Sequence, residues 1–440
     1  MSGVPVRELA DRFGTPAYLY ELDEVDAAAG RLRNALPSPA VLYYSLKANP
    51  HPLIARTLRD AHCNAEISSA GELEVALEAG FDGRQCLYTG PGKSVEEIAG
   101  ALAAGVRRFS VESVADYGRV TAAAAEHGVT AECLVRVNTL RSKGATGLRM
   151  SGAATQFGVD TTVLLDDPAL FAARPGGRVV GLHFFSVSNA ASAEVIAEEA
   201  LASIATAARL RDEADVDLRV LDLGGGFAAP YAREGGARDY AGLRAVIEAG
   251  LDEHLPGWRG ADPAIAFESG RYLVGTCGRL VARVADVKRS QDRTFVVLDS
   301  GINHVGGLSG IGRLLPVNPT VLPADEKDDE KDDEKDDEKA GSEVEERATV
   351  VGPLCTPADV LARDAGLTAC TGGDLVAVPN VGAYGLTASL LGFLSRPAAA
   401  EVVLRSGHPV DASRLELRRV PIDPGKAAPA ESHHEMSGSV

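Results

Sequence analysis

The chain has 440 residues, of which 45% are hydrophobic, and it carries a formal net charge of −18. This length predicts two domains, and the hydrophobic share is enough for a sizeable core. The negative charge argues against a nucleic-acid partner. The six cysteines form no Cys-X-X-Cys pair, so neither a metal site nor a disulfide framework is expected. We find no apolar signal segment and no uninterrupted apolar span of about 18 residues, and therefore expect a cytoplasmic protein without a membrane partner.

Strand and helix patterns alternate along the first two thirds of the chain. A helix is expected at 6–13, a strand at 17–20 and an alanine-rich helix at 23–36. Eight further strand-like runs then alternate with amphipathic helical stretches. These runs cover residues 41–47, 64–69, 86–90, 107–113, 132–138, 178–187, 219–223 and 264–268. Over roughly 250 residues the pattern predicts an α/β fold, a parallel (β/α)8 barrel. A doubly wound sheet is the alternative, although the glycine-rich loop that usually follows its first strand is missing.

The pattern changes after about residue 275, where short strands follow one another with few helices between them. They are expected at 279–287, 293–299, 347–351, 374–378 and 401–404, and they predict a C-terminal all-β domain. The strand at 17–20 precedes the barrel pattern and is expected to join this domain. The predicted organisation is an N-terminal segment at 1–23, a barrel at 24–274, a β domain at 275–425 with an acidic insertion at 324–346, and a tail at 426–440. The highly charged insertion and the tail are expected to be disordered.

A lysine stands at the end of the first predicted strand. Lys47 follows an apolar run, and the Asn49-Pro50 pair after it indicates a turn. Lysine is seldom buried without a partner, so Lys47 either extends its amine to solvent or takes part in chemistry. A lysine amine can condense with a carbonyl group to form a Schiff base. Taken alone, the pattern favours the solvent-facing interpretation.

The seventh and eighth predicted strands also end in unusual groups. Gly224, Gly225 and Gly226 follow the seventh, and successive glycines can point backbone N–H groups at an anion. The phosphate site of a barrel is often built after its late strands, although a tight turn would explain the glycines equally well. Glu268 and Arg271 follow the eighth strand and could form a simple salt bridge. In a barrel mouth, however, Arg271 suits a phosphate and Glu268 suits a cationic ring nitrogen.

Aromatic residues end the sixth predicted strand, in the segment 183–188. Such residues usually belong to the core, but Phe185 could stack on a flat cofactor and Ser188 could donate to a phosphate. A Schiff-base lysine, a phosphate nest, a carboxylate for a ring nitrogen and a stacking ring together describe one ligand, pyridoxal 5'-phosphate (PLP). The sequence therefore predicts PLP as the cofactor.

The sequence resembles the fold-type III PLP-dependent decarboxylases, the ornithine/diaminopimelate decarboxylase superfamily, over about residues 15–405. The resemblance implies a barrel, a β domain and a homodimer whose subunits share their active sites at the interface. The motifs that carry it are Tyr44-Ser-Leu-Lys-Ala-Asn-Pro50, Ser69-Ala-Gly-Glu-Leu73, Thr89-Gly-Pro-Gly-Lys93, Gly224-Gly-Gly226, Glu268-Ser-Gly-Arg-Tyr272, Gly352-Pro-Leu-Cys355 and Gly382-Ala-Tyr384.

The resemblance also implies a role for individual residues. Lys47 would be the Schiff-base lysine, Glu268 would face the pyridine nitrogen, and Phe185 would take the stacking position. Cys355 would enter from the other subunit and protonate the product carbon. The remaining cofactor-binding residues would be Ser188, Gly224, Gly225, Gly226, Gly270, Arg271 and Tyr384. The residues expected near the substrate are Arg136, Asn303, His304, Thr356 and Asp359.

The chain departs from the superfamily at residues that would hold the substrate. Phe185 stands where ornithine and diaminopimelate decarboxylases usually carry a stacking histidine. His304 follows Asn303 where a diaminopimelate enzyme usually has an arginine for the distal carboxylate, and Thr356 replaces the usual acidic residue after Cys355. With these departures the chain is most similar to decarboxylases of antibiotic biosynthesis, whose known member type acts on glutamate tethered to an acyl-carrier protein.

Alternative functions remain open at this point. A free-substrate decarboxylase acting on diaminopimelate or a related amino acid is the second hypothesis. A racemase or another PLP enzyme that does not decarboxylate is the third, and the Gly352-Pro-Leu-Cys355 motif argues against it. A binding protein that keeps the PLP fold without catalysis belongs to a different class. Phe185, and Val187 where the superfamily normally has a glycine, are compatible with it, whereas the intact Lys47 argues against it.

Overall fold

The fold was analysed in a computed structural model that describes residues 3–139, 148–149, 155–190, 192–306, 318–324, 347–367 and 370–421. Two nine-stranded sheets dominate these residues. The strands are β1 (Ala17–Glu21), β2 (Val41–Ser45), β3 (Asn64–Ile67), β4 (Cys86–Tyr88), β5 (Arg108–Val111), β6 (Ala131–Asn138), β7 (Leu148–Arg149), β8 (Val159–Asp160), β9 (Gly177–Phe184), β10 (Val187–Ser188), β11 (Val220–Asp222), β12 (Ala264–Ser269), β13 (Gly278–Ser290), β14 (Arg293–Leu298), β15 (Leu322–Pro323), β16 (Arg347–Val351), β17 (Val360–Gly366), β18 (Leu375–Val378), β19 (Ala400–Arg405) and β20 (His408–Arg414).

Helices connect most of the strands of the first sheet. They are α1 (Val6–Phe13), α2 (Leu22–Ala35), α3 (Pro52–Asp60), α4 (Ala70–Glu78), α5 (Val95–Ala103), α6 (Val114–Glu126), α7 (Thr161–Asp166), α8 (Ala193–Ala214), α9 (Leu243–His254) and α10 (Arg271–Val274). Serine side chains begin several of them: Ser69 Oγ accepts from the Glu72 amide, and Ser94 forms a reciprocal capping box with Glu97. Within the described residues, no helix combines the length and the apolar character needed to cross a bilayer.

The first sheet closes into a parallel barrel. The strand order is β2-β3-β4-β5-β6-β9-β11-β12, and β12 pairs in parallel with β2 to complete the ring. These are the eight strands predicted from the sequence, in their predicted order, so the (β/α)8 barrel is confirmed. Because all eight run in one direction, their C-terminal ends meet at one mouth, where the active sites of such barrels lie.

The second sheet has the order β17-β16-β14-β13-β1-β19-β20, with β18 and then β15 added beside β13. Strand β1 pairs antiparallel with β13 and parallel with β19, as expected for the strand at 17–20. Helix α1 packs on the same sheet, since Leu9 and Ala10 share a buried cluster with Leu19 and Val402. The exact domain boundaries stay a prediction. The acidic insertion from residue 325 and the tail from residue 422 lie outside the described residues.

The structure adds the two-residue strands β7, β8, β10 and β15 to the predicted elements, and the predicted strand at 178–187 ends at Phe184, before β10. Two further differences have a clear physical cause. The first barrel strand ends at Ser45 rather than at Lys47, which lies on a short 3-10 turn, Leu46–Ala48. The turn ends because Asn49 must be extended before Pro50. The strands β17 and β20 were not predicted. Both lie at edges of the second sheet. Nearly all of β20 is exposed, and exposed Arg363 and Asp364 interrupt the apolar start of β17, so neither has the apolar pattern of a buried strand.

Candidate functional site

A cleft of about 340 Å³ lies at the C-terminal mouth of the barrel. It brings together residues from the ends of β2, β9 and β12 and from the loops that follow β11 and β18. The predicted site residues that line it are Lys47, Phe185, Ser188, Gly226, Glu268, Gly270, Arg271 and Tyr384. Residues separated by more than 330 positions in the chain therefore meet at one place because the parallel strands converge there.

Lys47 extends from the 3-10 turn into this cleft, with a side chain that is 41% exposed. Its amine lies 3.0 and 3.1 Å from the two carboxylate oxygens of Glu66, which is buried on β3. Thr89 donates a hydrogen bond to the same carboxylate. The ring of Phe185 lies on the other side, with its centroid 5.8 Å from the Lys47 amine. The lysine thus stands between an anion and an aromatic face.

The ammonium group of Lys47 and the carboxylate of Glu66 stabilise each other in their charged forms. Burial lowers the pKa of Lys47, but the carboxylates of Glu66 and Glu268 raise it more, so the net pKa lies above the ordinary lysine value. Burial raises the pKa of Glu66, yet the Lys47 ammonium and hydrogen bonds from Ser45 and Thr89 bring it below the ordinary value. Lys47 is therefore a cation in this arrangement, and it must lose a proton before its amine can attack a carbonyl.

Glu268 is 1% exposed and faces the base of the cleft from the end of β12. Its Oε1 atom has no hydrogen-bond partner, although His183 Nε2 lies 3.4 Å away. Burial, followed by the negative charges of Glu66 and Asp222, raises the pKa of Glu268 well above the ordinary value. A buried carboxylate oxygen without a partner is costly. A cationic N–H group of a ligand would satisfy it.

The glycine loop after β11 passes very close to neighbouring backbone. A Cβ atom on Gly224 would lie 2.1 Å from the carbonyl oxygen of Phe184, and one on Gly225 would lie 2.4 Å from that of Glu268. Gly224 and Gly226 also have φ values of +68° and +99°, which favour glycine. Asp222 fixes the start of the loop, because its Oδ1 accepts from the Gly224 amide at 2.9 Å. Glycine is therefore required for this loop to pack against the ends of β9 and β12, and its last glycine, Gly226, lines the cleft; we call the loop the glycine cradle.

Arg271, Gly270 and Tyr384 form another wall of the cleft. The Arg271 guanidinium lies 4.8 Å from the centroid of the Tyr384 ring. The Tyr384 amide donates to the Ala48 carbonyl at 2.7 Å, which joins this wall to the turn that carries Lys47. Gly270 is equally constrained, since a Cβ atom there would lie 2.7 Å from that of Ala48. A planar guanidinium beside a glycine cradle suits a phosphate group.

Arg136 lies behind the stacking ring and does not line the cleft. Its guanidinium carbon is 5.6 Å from the Phe185 centroid and 4.7 Å from that of Phe157. Glu112 holds it through a 2.9 Å ion pair, and the second Glu112 oxygen accepts from the Gly158 amide. The structure therefore places Arg136 as a support for Phe185, where cation–π attraction fixes the ring.

The other residues predicted near the substrate lie outside the cleft of this chain. Asp359 is 3% exposed and accepts from the Ile302 and Leu354 amides at 2.9 and 2.7 Å. It thereby ties two loops together, one carrying Asn303 and His304 and the other carrying Cys355 and Thr356. Asn303 and His304 are buried, and His304 Nε2 lies 2.9 Å from the Pro397 carbonyl oxygen. Cys355 itself is exposed.

Three buried polar residues of the site were not predicted from the sequence: Glu66, Asp222 and His183. The first two each interrupt an apolar strand, in Asn64-Ala-Glu-Ile67 and in Val220-Leu-Asp222. An ionisable residue inside a strand that is buried on both faces is the signal that could have identified them. The partners of each depend on the strand order around the barrel, which only the closed sheet supplies.

These groups fit PLP. The orphaned Glu268 oxygen matches a protonated ring nitrogen, the glycine cradle and Arg271 match a phosphate, and Phe185 offers a flat face. Lys47 reaches the same space with a primary amine. Together these groups suit an aromatic, anionic, carbonyl-bearing ligand.

Comparisons with known proteins agree with this assignment. Residues 22–275 match the family model described as "Pyridoxal-dependent decarboxylase, pyridoxal binding domain". The chain is 31% identical to an L-glutamyl-[BtrI acyl-carrier protein] decarboxylase of Niallia circulans, with 91% of each chain covered. It is 28% identical to a diaminopimelate decarboxylase of Zymomonas mobilis, with 91% of this chain and 90% of that one covered.

A solved structure shows the same fold. The crystal structure of diaminopimelate decarboxylase from Helicobacter pylori complexed with L-lysine superposes with a TM-score of 0.74 at 27% identity. The match covers 90% of this chain and 93% of that one, so it includes both sheets. With the barrel, the cleft and these matches in agreement, the chain belongs to the fold-type III family of pyridoxal-dependent decarboxylases.

Proposed function

We propose that the protein removes the α-carboxylate of an amino acid whose distal end is attached to a carrier, with glutamate on an acyl-carrier protein as the leading substrate. The feature that carries this choice is the segment 301–306, where diaminopimelate decarboxylases usually carry an arginine for the distal carboxylate and this chain has His304. Asn303 and His304 are buried there, and burial lowers the pKa of His304, so its imidazole is neutral. The 31% identity to the carrier-linked enzyme supports the same choice.

PLP, when bound, supplies an electron sink for the pair of electrons left behind as CO2 departs. Lys47 would hold its carbonyl carbon, and Glu268 would hold its ring nitrogen in the protonated form. Phe185 would support one face of the ring. The phosphate would be held by Ser188, Gly224, Gly225, Gly226, Gly270, Arg271 and Tyr384.

Glu66 accepts the proton that Lys47 must lose and can later return it. The amine is a nucleophile only when neutral, and the Glu66 carboxylate, 3.0 Å away, is the acceptor closest to it among the described side chains. The same carboxylate can return the proton when the lysine is displaced by a substrate amine. Thr89, which donates to Glu66, keeps that carboxylate in place in both states.

A second subunit completes the proposed site. Cys355 is exposed and lies on a loop that does not line the cleft of its own chain. In a homodimer with shared sites, this thiol would enter the cleft of the partner and return a proton to the product carbon. A positioned general acid of this kind contributes about 10²–10⁴-fold in rate.

The test is CO2 release by the purified protein loaded with PLP. Three substrates are compared at equal concentration: glutamyl-acyl-carrier protein, free glutamate and free diaminopimelate. We expect release from the carrier-bound glutamyl group alone, and none from the Lys47→Ala variant. Release from free diaminopimelate without any from the carrier-bound substrate would overturn the proposal.

That outcome would instead support the second candidate, a free-substrate diaminopimelate decarboxylase. The observation in its favour is the 0.74 TM-score with the Helicobacter pylori enzyme over both sheets. The 28% identity to the Zymomonas mobilis enzyme points the same way. The two candidates share the cofactor chemistry and differ only in what holds the distal end of the substrate.

A further inference from the structure

Beneath Glu268 lies a cluster of buried polar groups that the proposed chemistry does not use. His183, at the end of β9, is 1% exposed, and Asp222, at the end of β11, is fully buried. One ligand atom from each of His183, Asp222 and Glu268 lies within 4.8 Å of the others. The second imidazole nitrogen of His183, Nδ1, lies 2.7 Å from Ser110 Oγ. Four barrel strands thus each contribute one polar group to this cluster.

Three atoms of this cluster have no hydrogen-bond partner: His183 Nε2, Asp222 Oδ2 and Glu268 Oε1. Unpaired buried polar atoms are uncommon in native proteins, and two of these, His183 Nε2 and Glu268 Oε1, lie only 3.4 Å apart, which indicates a shared hydrogen. The ring nitrogen of PLP would satisfy only Glu268. Asp222 and Glu268 are close enough that both carboxylates resist ionising together. One proton shared by the two would leave only one of them charged.

We propose that His183 and Asp222 are positioning residues that hold one proton beside Glu268 and so fix the charge that Glu268 presents to the cofactor. In the first arrangement Asp222 carries the proton, and Glu268 is an anion that accepts from His183 Nε2–H. The Ser110 hydroxyl then donates to His183 Nδ1. In the second, Asp222 is the anion, Glu268 carries the proton and donates to Nε2, and Nδ1–H donates to Ser110 Oγ. Both arrangements hold the same number of protons.

Burial and the surrounding charges keep the His183 imidazole neutral, so that it can link Ser110 to Glu268 by hydrogen bonds in either arrangement. Burial lowers the pKa of His183 well below the ordinary value, and the nearby cations Arg136, Lys47 and Lys93 lower it further. Burial raises the pKa of Asp222 to about 7, with Glu66 adding to the rise and Arg108 and Arg136 opposing it. A cationic ring nitrogen beside Glu268 then selects the first arrangement, because it attracts the carboxylate anion.

The inference rests on the proposed function only in taking Glu268 as the partner of the ring nitrogen. The proton itself is tested first in the full-length protein without cofactor, by infrared spectroscopy at neutral pH. All samples carry Glu401→Gln, because Glu401 is a buried acid outside the cluster whose raised pKa would give a band of its own. We expect the band of a buried carboxylic acid, shifted or lost when Asp222→Asn is added. That variant keeps the oxygen that accepts from the Gly224 amide. A missing band in the Glu401→Gln background, or an unchanged band after Asp222→Asn is added, would overturn the inference whatever the protein catalyses.

The effect on the cofactor is tested in the PLP-loaded protein, by following its visible absorbance against pH. In Asp222→Asn and His183→Leu we expect the midpoint of the spectral change to move by at least about one pH unit, or tenfold in the protonation equilibrium. His183→Gln, whose amide N–H can replace Nε2–H, should move it less. Ser110→Ala should also shift the midpoint, and Ser203→Ala, a buried serine on α8, should not. Identical midpoints in Asp222→Asn, Ser110→Ala and the wild type would contradict the proposal even if His183→Leu failed to fold.

Discussion

At the scale of single residues, the site brings one lysine and several carboxylates close together in a buried space. Lys47 is kept protonated by Glu66, while Glu268 is crowded by two other carboxylates and lacks a partner for one oxygen. Such a site is poised for a ligand that takes the lysine amine as a covalent partner and offers a cation to Glu268. Strongly perturbed ionisable groups that converge in a cleft are typical of active sites.

The first prediction concerns the proton on Lys47. In Glu66→Gln the carboxylate that raises the pKa of Lys47 is removed, so the neutral amine should form at lower pH. We expect the rate at which the cofactor-free protein captures PLP to reach its midpoint at least about one pH unit lower than in the wild type. Stopped-flow absorbance at a series of pH values measures it.

A matched control is Glu132→Gln, on β6. Glu132 pairs with Arg108 and is about one third exposed, away from the cleft. This variant should reproduce the wild-type pH profile. A Glu66→Gln profile that coincides with that of the wild type would show that Glu66 does not control the proton of Lys47.

The sequence identified the site residues that match a group of the ligand and stand beside turn signals, but not the buried acids Glu66 and Asp222. Lys47, Glu268 and the glycine triplet stand beside turn signals, which makes them visible in a linear pattern. Glu66 and Asp222 lie among apolar residues, and whether they face the barrel interior depends on closure and register. Arg136 was expected near the substrate, whereas Glu112 and two phenylalanine rings enclose it.

At the scale of elements, the barrel strands were predictable because each is a short apolar run followed by a helix. The edge strands of the second sheet were not, since β20 exposes nearly all of its side chains and exposed Arg363 and Asp364 interrupt β17. Strand β19 is the opposite case: nearly all of it is buried, and it pairs in parallel with β1. One buried acid, Glu401, lies within that pairing.

The second prediction concerns Glu401. It is 6% exposed and accepts from the Tyr20 hydroxyl at 3.1 Å, and burial raises its pKa from 4.5 to about 7. The folded protein therefore binds this proton more tightly than the unfolded chain does, so stability falls as pH rises from 4.5 through 7. Above that range the buried charge costs about 3 kcal/mol in folding free energy.

Glu401→Gln removes this cost and should raise the unfolding temperature at pH about 8 but not at pH about 5. Denaturation followed by circular dichroism at the two pH values measures the difference. Glu416→Gln, an exposed acid near the end of the described chain, serves as the control and should change neither value. An equal effect of Glu401→Gln at both pH values would show that the acid is not the titrating group.

At the scale of the whole molecule, the N-terminal strand β1 belongs to the second sheet although it precedes the barrel in the chain, and it thereby links the two sheets. Strand β1 lies in the second sheet, while the helix that follows it, α2, packs on the barrel. The sequence predicted this membership because the strand precedes the barrel alternation. The order of strands across the second sheet could not be predicted, because it depends on contacts between residues as distant as Tyr18 and Glu401.

The third prediction concerns the proposed homodimer. If Cys355 of one subunit serves the Lys47 of the other, Lys47→Ala and Cys355→Ala homodimers should each be impaired. Their heterodimer, however, would have one site with both residues intact. Random exchange of equal amounts should then restore about a quarter of wild-type CO2 release, since half of the dimers are mixed and each has one working site.

The matched control exchanges the wild type with the Lys47→Ala/Cys355→Ala double variant. With shared sites that heterodimer has no intact site, whereas with self-contained sites it keeps one. Differently tagged subunits report the extent of exchange in both mixtures. Recovery in the first mixture together with a dead heterodimer in the second would place the Cys355 thiol in the partner's cleft. The reverse pattern would mean that each chain carries a complete site, and the exposed Cys355 loop would then have to reach the cleft of its own barrel.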